Sequence, residues 1–365
     1  MEKMKATALY YMDYAAAYPG NFIASMRRLF SSLKERGVST HCVFPERAKG
    51  RRWIQTLEEE GIGISYKPAG VGEQFKLLKK IFKENKIIFV HIHFTDDIRD
   101  RIVIKSAMLA TGRKCPIVVH YHNHYAASSS FVKKFIKRLV IHGDYLVGCG
   151  SGVAASLRSG KMKNDITFVE NAIDFARLES SRESYDNHDF LQFGFHYERK
   201  GVDVSLDAFD ILNKKYSDLT LNISLSSNEE YVRKRIIEKY GEIPKWVRLL
   251  DPIDNIVEYY DRACAFLSPS REEGLCYAVI EAAYCRCPVI ASDISGLNEI
   301  RIPDIIWCEK ENPQSLADRI DTFLCMSEEK KRSLGNKLKA SAEKNYKLER
   351  WEREMLTYYE ERALI

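Results

Sequence analysis

No apolar run in this sequence is long enough to cross a bilayer. Ile87 to Phe94 is among the longest and two histidines interrupt it, against the ~20 residues a spanning helix needs. The cysteines have no paired spacing. There are nine, an odd number, with no C-x-x-C and only Cys285 and Cys287 close together. Disulfide frameworks and metal knuckles want regular pairs, so reduced and mostly buried thiols in a cytosolic protein are expected. Glycine and proline are sparse, at 19 and 10 residues, which excludes collagen-like and low-complexity chains. There is no internal repeat. The opening residues run directly into a strand-like Ala8-Leu-Tyr-Tyr with no signal-peptide core, so a cytoplasmic protein is expected.

What is present is ordinary globular material. The 365 residues are 45% apolar and 29% charged, enough for about two domains with their own cores. The net charge of +5 hides an asymmetry. Residues 1–170 carry 28 Lys and Arg against 15 Asp and Glu, a net of +13, and the remainder carries a net of −8. The first half therefore invites an anionic partner such as a nucleic acid, an acidic polymer or an anionic membrane surface. An aromatic-basic nucleic-acid module is absent, so nucleic acid is not expected.

Short apolar strands alternate with amphipathic helical stretches. In the first half the strands are Thr7–Met12, Thr40–Phe44, Gly63–Tyr66, Ile87–His91, Pro116–His120, Tyr145–Val147 and Ile166–Val169. Helical patterns cover Phe22–Arg36, Glu73–Lys86, Ile98–Leu109 and Phe131–Ile141. A polar segment, Arg177 to Asp189, reads as a linker, and alternation then resumes from Leu191 to Cys308. Alternation of this kind predicts parallel sheets covered on both faces. The expectation is two doubly wound, Rossmann-like α/β domains, 1–175 and 176–345, followed by a helical 346–365 that packs back on the first. Ligands of such sheets bind beyond the C-terminal strand edges, and two facing edges form a cleft.

The segment Ser268–Ser292, SPSREEGLCYAVIEAAYCRCPVIAS, ends a strand, makes a glycine loop and opens a helix near Tyr277. Free amides at that helix start can receive a phosphate. Glu273 sits in the loop, and Glu281 lies one turn inside the helix, roughly 6 Å further along its axis. The block resembles the signature of family 4 retaining glycosyltransferases of the GT-B fold, with P-S-x-x-E-G, a second Glu eight positions on, then P-V-I-A-S. Glu273 and Glu281 match the two glutamates of that family's E-x7-E motif. The family's usual Gly-Phe-Gly is here Gly274-Leu275-Cys276, so Cys276 narrows the donor-sugar pocket.

The resemblance extends to other segments. Gln192–Asp203, QFGFHYERKGVD, is similar to the family's diphosphate loop G-R-x-x-x-E-K-G-V-D. Lys200 matches its lysine, while Phe195 stands where the family has arginine, and Arg199 next door offers a guanidinium that suits phosphate oxygens. Gly20 matches the family's Gly-rich turn, and His122 in Val118-Val-His-Tyr-His-Asn-His-Tyr125 matches its active-site histidine, which contacts the donor sugar. Along that strand the alternating His120, His122 and His124 are too far apart for easy shared ligation, so no metal site is expected. His91 and His93 resemble the family's V-H-x-H strand, with a structural role. Asp251-Pro-Ile-Asp254 sits where the family binds the base, making Ile253 a base contact. Gly148-Cys-Gly-Ser-Gly152 lacks phosphate-loop spacing, and Ser151 as a helix cap explains it more simply.

The resemblance implies a retaining, hexosyltransferase-type enzyme moving a sugar from a nucleotide-diphosphate donor to an acceptor hydroxyl in surface polysaccharide or glycolipid assembly. It implies His122 and Glu273 as catalytic. Gly20, Arg199, Lys200, Ile253, Gly274, Leu275, Cys276, Tyr277 and Glu281 are its donor contacts. No cofactor is expected, and the absence of a D-x-D motif predicts no metal requirement. The acceptor is a saccharide or lipid-linked saccharide. Amphipathic basic stretches at 131–140 and 75–83 suggest peripheral contact with an anionic membrane face. The alternatives are a non-catalytic scaffold on the same fold and a sugar-nucleotide epimerase.

Overall fold

A computed structural model describes residues 6–95, 97–125, 138–160, 164–182, 184–225, 229–251 and 255–365. The chain forms two compact units, residues 1–172 with 348–365, and residues 173–347.

The first unit is built on a fully parallel sheet. Its strands are β1 (Ala6–Met12), β2 (Ser39–Pro45), β3 (Gly63–Lys67), β4 (Lys86–His93), β5 (Ile117–Tyr121), β6 (Tyr145–Gly148) and β7 (Ile166–Phe168), in the order β3-β2-β1-β4-β5-β6-β7. Helices α1 (Gly20–Glu35), α2 (Arg52–Glu59), α3 (Val71–Glu84), α4 (Ile98–Ala110) and α5 (Ser151–Ser159) cross between strands. α1 forms because Phe22, Ile23, Met26, Leu29, Phe30 and Leu33 fall on one face, and all are buried. The sequence reading missed α2, although Trp53, Ile54 and Leu57 give its eight residues a buried stripe. In α3, Leu78, Ile81 and Phe82 are buried in its own unit, so the stripe at 75–83 is core and not a lipid-facing surface. Residues 131–137 of the other basic stretch lie outside the described residues.

The core of this unit is completed by the chain's last helix. Trp351, Met355, Leu356, Tyr358 and Tyr359, in what becomes α12 of the whole chain (Leu348–Glu361), are buried in the cluster that holds Tyr10, Phe30 and Phe89. The Tyr359 hydroxyl lies 3.0 Å from that of Tyr10 and 2.6 Å from His91 Nδ1.

The second unit repeats the plan. Strands β8 (Asp189–Phe193), β9 (Thr220–Ser224), β10 (Val247–Leu250), β11 (Ala265–Ser268), β12 (Val289–Ser292) and β13 (Ile306–Cys308) run parallel in the order β10-β9-β8-β11-β12-β13. Helices α6 (Val202–Leu212), α7 (Glu229–Tyr240), α8 (Val257–Arg262), α9 (Tyr277–Tyr284), α10 (Pro313–Leu324) and α11 (Glu328–Asn345) cover it. Strand order reverses between β1 and β4 in one unit and between β8 and β11 in the other, and ligands of doubly wound sheets bind beyond such reversals.

Three expectations are corrected. Residues 177–189 are not a free linker. Leu178 and Tyr185 are buried, the Arg182 guanidinium donates to the Ala263 carbonyl at 2.6 Å, and Tyr185 donates to Arg286 O at 3.1 Å. The segment is polar because its side chains fasten it to the second unit, which begins at Ile173. Tyr346 also belongs there, its hydroxyl accepting from Arg301 N at 2.8 Å. Finally, β8 starts two residues earlier than the apolar run suggests. All nine cysteines are free and Cys325 alone is exposed. Among the described residues, no helix is long and apolar enough to cross a membrane.

Candidate active site

β8 and β11 are hydrogen-bonded neighbours, so the loops leaving their C-terminal ends meet although they lie some seventy residues apart. The first carries Arg199 and Lys200 and the second carries Ser270 and Glu273. Lys200 Nζ donates to Glu273 Oε1 at 2.6 Å, and the Ser270 hydroxyl donates to the same oxygen at 2.8 Å. Arg199 approaches Oε2 at 3.6 Å. Lys200 and Glu273 are both buried. Side chains of adjacent residues ordinarily diverge, yet the tight turn brings both cations to one carboxylate. Phe195, in the position of the family's arginine, lies under the ammonium, its ring centroid 4.9 Å from Lys200 Nζ.

Residues the sequence reading did not assign hold these loops. Gly201 has φ +65°, and a Cβ there would overlap the Pro269 carbonyl. Gly296 has φ +86°, and its Cβ would overlap the carbonyl of Glu273 itself. Both turns need glycine for conformation and for close approach. Arg271 clamps the two loops, pairing with Asp203 through two bonds of 2.8 and 2.7 Å, while its own amide donates to Arg199 O at 2.8 Å. Neither Gly296 nor Arg271 falls on a motif position singled out in the sequence.

Gly274, Leu275 and Cys276 are buried and lead into α9, with Cys276 at the N-cap and no side-chain cap present. Tyr277 is half-buried at the first helical position. Burial, with Glu273 nearby, pushes the Cys276 thiol pKa up, so the sulfur is a neutral, space-filling group. Glu281 is buried in α9 and already engaged: Arg177 pairs with one oxygen and the Tyr260 hydroxyl donates to the other at 3.1 Å. The sequence reading placed Arg177 in a linker and so could not pair it. Ile253 lies outside the described residues.

In the first unit, Gly20 opens α1 with φ +54° after the β1 loop. His122 follows β5. Its Nε2 is 3.1 Å from His93 Nδ1, and its ring stacks on Phe94 at 3.9 Å. Burial and the neighbouring His120 and His91 lower its pKa well below the ordinary value, which keeps it neutral. The expectation of no metal site weighs His120, His122 and His124 along one strand; across two strands, His91, His93 and His120 come together.

These two doubly wound parallel sheets define a GT-B fold. A glycosyltransferase from Rickettsia africae superposes with a TM-score of 0.78 over 98% of both chains at 18% identity. Anabaena HepE in complex with UDP and glucose gives 0.76 over 98% of this chain and all of that one, at 15% identity. The family model described as Glycosyl transferases group 1 matches residues 178–341. An uncharacterized glycosyltransferase of Methanocaldococcus jannaschii is 26% identical over 295 residues, 77% of each chain. A human phosphatidylinositol N-acetylglucosaminyltransferase polypeptide is 23% identical over 320 residues, 80% of this chain and 63% of that one. The match to the group 1 glycosyltransferases lies within the second unit, and the likeness to solved structures along the whole chain is one of fold.

Proposed function

We propose that the protein transfers a sugar, with retention at the anomeric carbon, from a nucleotide-diphosphate sugar to a hydroxyl of a saccharide or lipid-linked saccharide. The observation that carries this is the convergence of Lys200 and Arg199 on Glu273 beside the uncapped start of α9. A diphosphate arriving there competes with Glu273 for both cations and gains the helix-start amides. Negative charge grows on the departing diphosphate in the transition state, where such fixed donors act most strongly. Glu273, released from its cations, orients sugar hydroxyls and stabilises the positive charge of an oxocarbenium-like centre. A leaving-phosphate oxygen accepts the acceptor proton. Glu281 holds ribose hydroxyls after exchanging partners with Arg177, and His122 positions the sugar as a neutral imidazole.

Similar proteins support the substrate classes: HepE was solved with UDP and glucose, and other relatives include a capsular polysaccharide biosynthesis glycosyltransferase of Staphylococcus aureus. The reaction needs no divalent cation at the diphosphate, because fixed cations and amides carry its charge. The protein works at the cytoplasmic membrane face, held there peripherally by its basic first half.

The test is turnover of a panel of nucleotide sugars with acceptor, reading nucleotide-diphosphate release and the product's anomeric configuration by NMR. Release with a retained configuration supports the reading. Donor binding without release leaves a scaffold, and an inverted product overturns retention. In excess EDTA turnover is expected to persist. Loss that Mg²⁺ or Mn²⁺ restores would overturn the cation-only account.

A further inference from the structure

His91 and His93 stand two apart on β4 and so share one face of the sheet. His120 on β5 is in direct register with His93. The three rings are almost fully buried, at 0, 0 and 3% exposure, and offer nitrogens that all lie within 4.8 Å of one another. Their hydrogen bonding is one-sided. His91 Nδ1 meets the Tyr359 hydroxyl at 2.6 Å and His93 Nδ1 meets His122 Nε2 at 3.1 Å. The Nε2 atoms of both residues, and both nitrogens of His120, are buried without a partner. Buried polar atoms are nearly always satisfied, so four orphaned ring nitrogens in one cluster need a partner of another kind.

We propose that His91, His93 and His120 form a binding site for a borderline divalent transition-metal ion, zinc in the first instance. Neutral imidazole suits such ions, whereas Mg²⁺ and Ca²⁺ want oxygen ligands, and the cluster contains none. Burial keeps the imidazoles neutral, the form that ligates. Two of the ligands also have the outer contacts that metal-bound histidines use to fix ring orientation and tautomer, Tyr359 on His91 and His122 on His93. With Zn–N bonds of about 2.0–2.1 Å in a tetrahedral site the nitrogens stand roughly 3.3 Å apart, so the rings swing inward by about an ångström. Three histidines leave the fourth position for a water or small anion.

A bound ion has a consequence for His122. Metal on His93 Nε2 holds that ring's proton on Nδ1, which then donates to His122 Nε2 and leaves the His122 proton on Nδ1. The site goes beyond the donor chemistry proposed above, since it lies in the first unit and its test uses no sugar.

The test begins with the full chain loaded with ZnCl₂ or CoCl₂, dialysed and analysed for metal. One retained equivalent, with the visible spectrum of four-coordinate cobalt, is expected. His91→Phe and His120→Phe, checked for folding by circular dichroism, should each lose that equivalent. Should either variant fail to fold, proton NMR of the cobalt-loaded wild type decides: three strongly shifted exchangeable ring N–H signals are expected. No retention by the wild type, six-coordinate cobalt, undiminished retention in folded variants, or a different number of shifted N–H signals overturns the site.

Discussion

At Glu273 two cations and a hydroxyl share one buried carboxylate, and the energetic consequence differs for each partner. Lys200 lies closest and is itself buried. Lys200→Ala is expected to lower kcat/KM by more than about a hundredfold, equivalent to about 2.7 kcal/mol of transition-state stabilisation. Steady-state kinetics on the folded variant checks this, and unchanged kinetics would remove Lys200 from the diphosphate site. Glu281→Gln keeps the shape of the side chain but gives up its charge to Arg177. It is expected to weaken nucleotide binding several-fold with a smaller effect on turnover, because ribose contacts exist in ground and transition states alike. Calorimetry with the nucleotide diphosphate reads the first quantity, and unchanged affinity would end the ribose assignment. Lys200, Glu273 and Glu281 stand out in the sequence through the resemblance, as matches to the family's motifs, and each falls inside a strand-loop-helix segment. Their immediate partners were not legible. Ser270 touches Glu273 only because of the loop's path, and Arg177 reaches Glu281 across 104 residues of chain.

Among the elements, the loops at the strand-order reversal do the positioning, and glycine sets their geometry. Gly201→Ala meets two penalties, a left-handed φ costing about 1–2 kcal/mol and the overlap with the Pro269 carbonyl. Gly50 has φ +79° with no atom near its absent Cβ, so Gly50→Ala carries the first penalty alone. Urea unfolding of the two variants is expected to show Gly201→Ala less stable than Gly50→Ala by at least about 1 kcal/mol, the low end of the usual cost of overpacking. Gly201→Ala should also lose transferase turnover, and equal stability in the pair would mean the close approach is not tight. Alternating apolar runs exposed nearly all strands because parallel strands are buried on both faces. The same rule hid α2, whose eight residues are too few to establish a helical period, and misjudged 177–189. That segment is polar in sequence and fixed in structure, because its order comes from partners elsewhere in the second unit.

The whole molecule is uneven in charge, with +13 in residues 1–170. Each cation near an anionic lipid surface contributes about 1 kcal/mol before screening. Liposome co-sedimentation is expected to show binding to anionic vesicles that high salt reverses. A variant with Lys133→Ser, Lys134→Ser, Lys137→Ser and Arg138→Ser should bind less, and equal recovery of both proteins in the supernatant would favour a soluble acceptor. The two-sheet plan was legible because it follows from strand-helix alternation over hundreds of residues. A helical 346–365 packing on the first domain is expected from the sequence, but its hydroxyl contacts needed coordinates. Tyr359→Phe strips Tyr10 and His91 of a shared partner and is expected to cost about 1–3 kcal/mol, measured as a lower urea midpoint.

The return of α12 to the first unit also sets an order of assembly on the ribosome. Residues 173–347 form one uninterrupted unit and can fold as soon as they emerge. The unit that is synthesised first must wait for them, because its core lacks Trp351, Met355 and Tyr359 until the final residues appear. At about 5–20 residues per second that delay is on the order of ten to forty seconds. Throughout it, the faces of β1 and α1 that α12 will cover remain open to chaperones and to other nascent chains. Chains arrested after Lys347 should therefore yield a protease-resistant second unit and a protease-sensitive first one, with resistance throughout once residue 365 has left the tunnel.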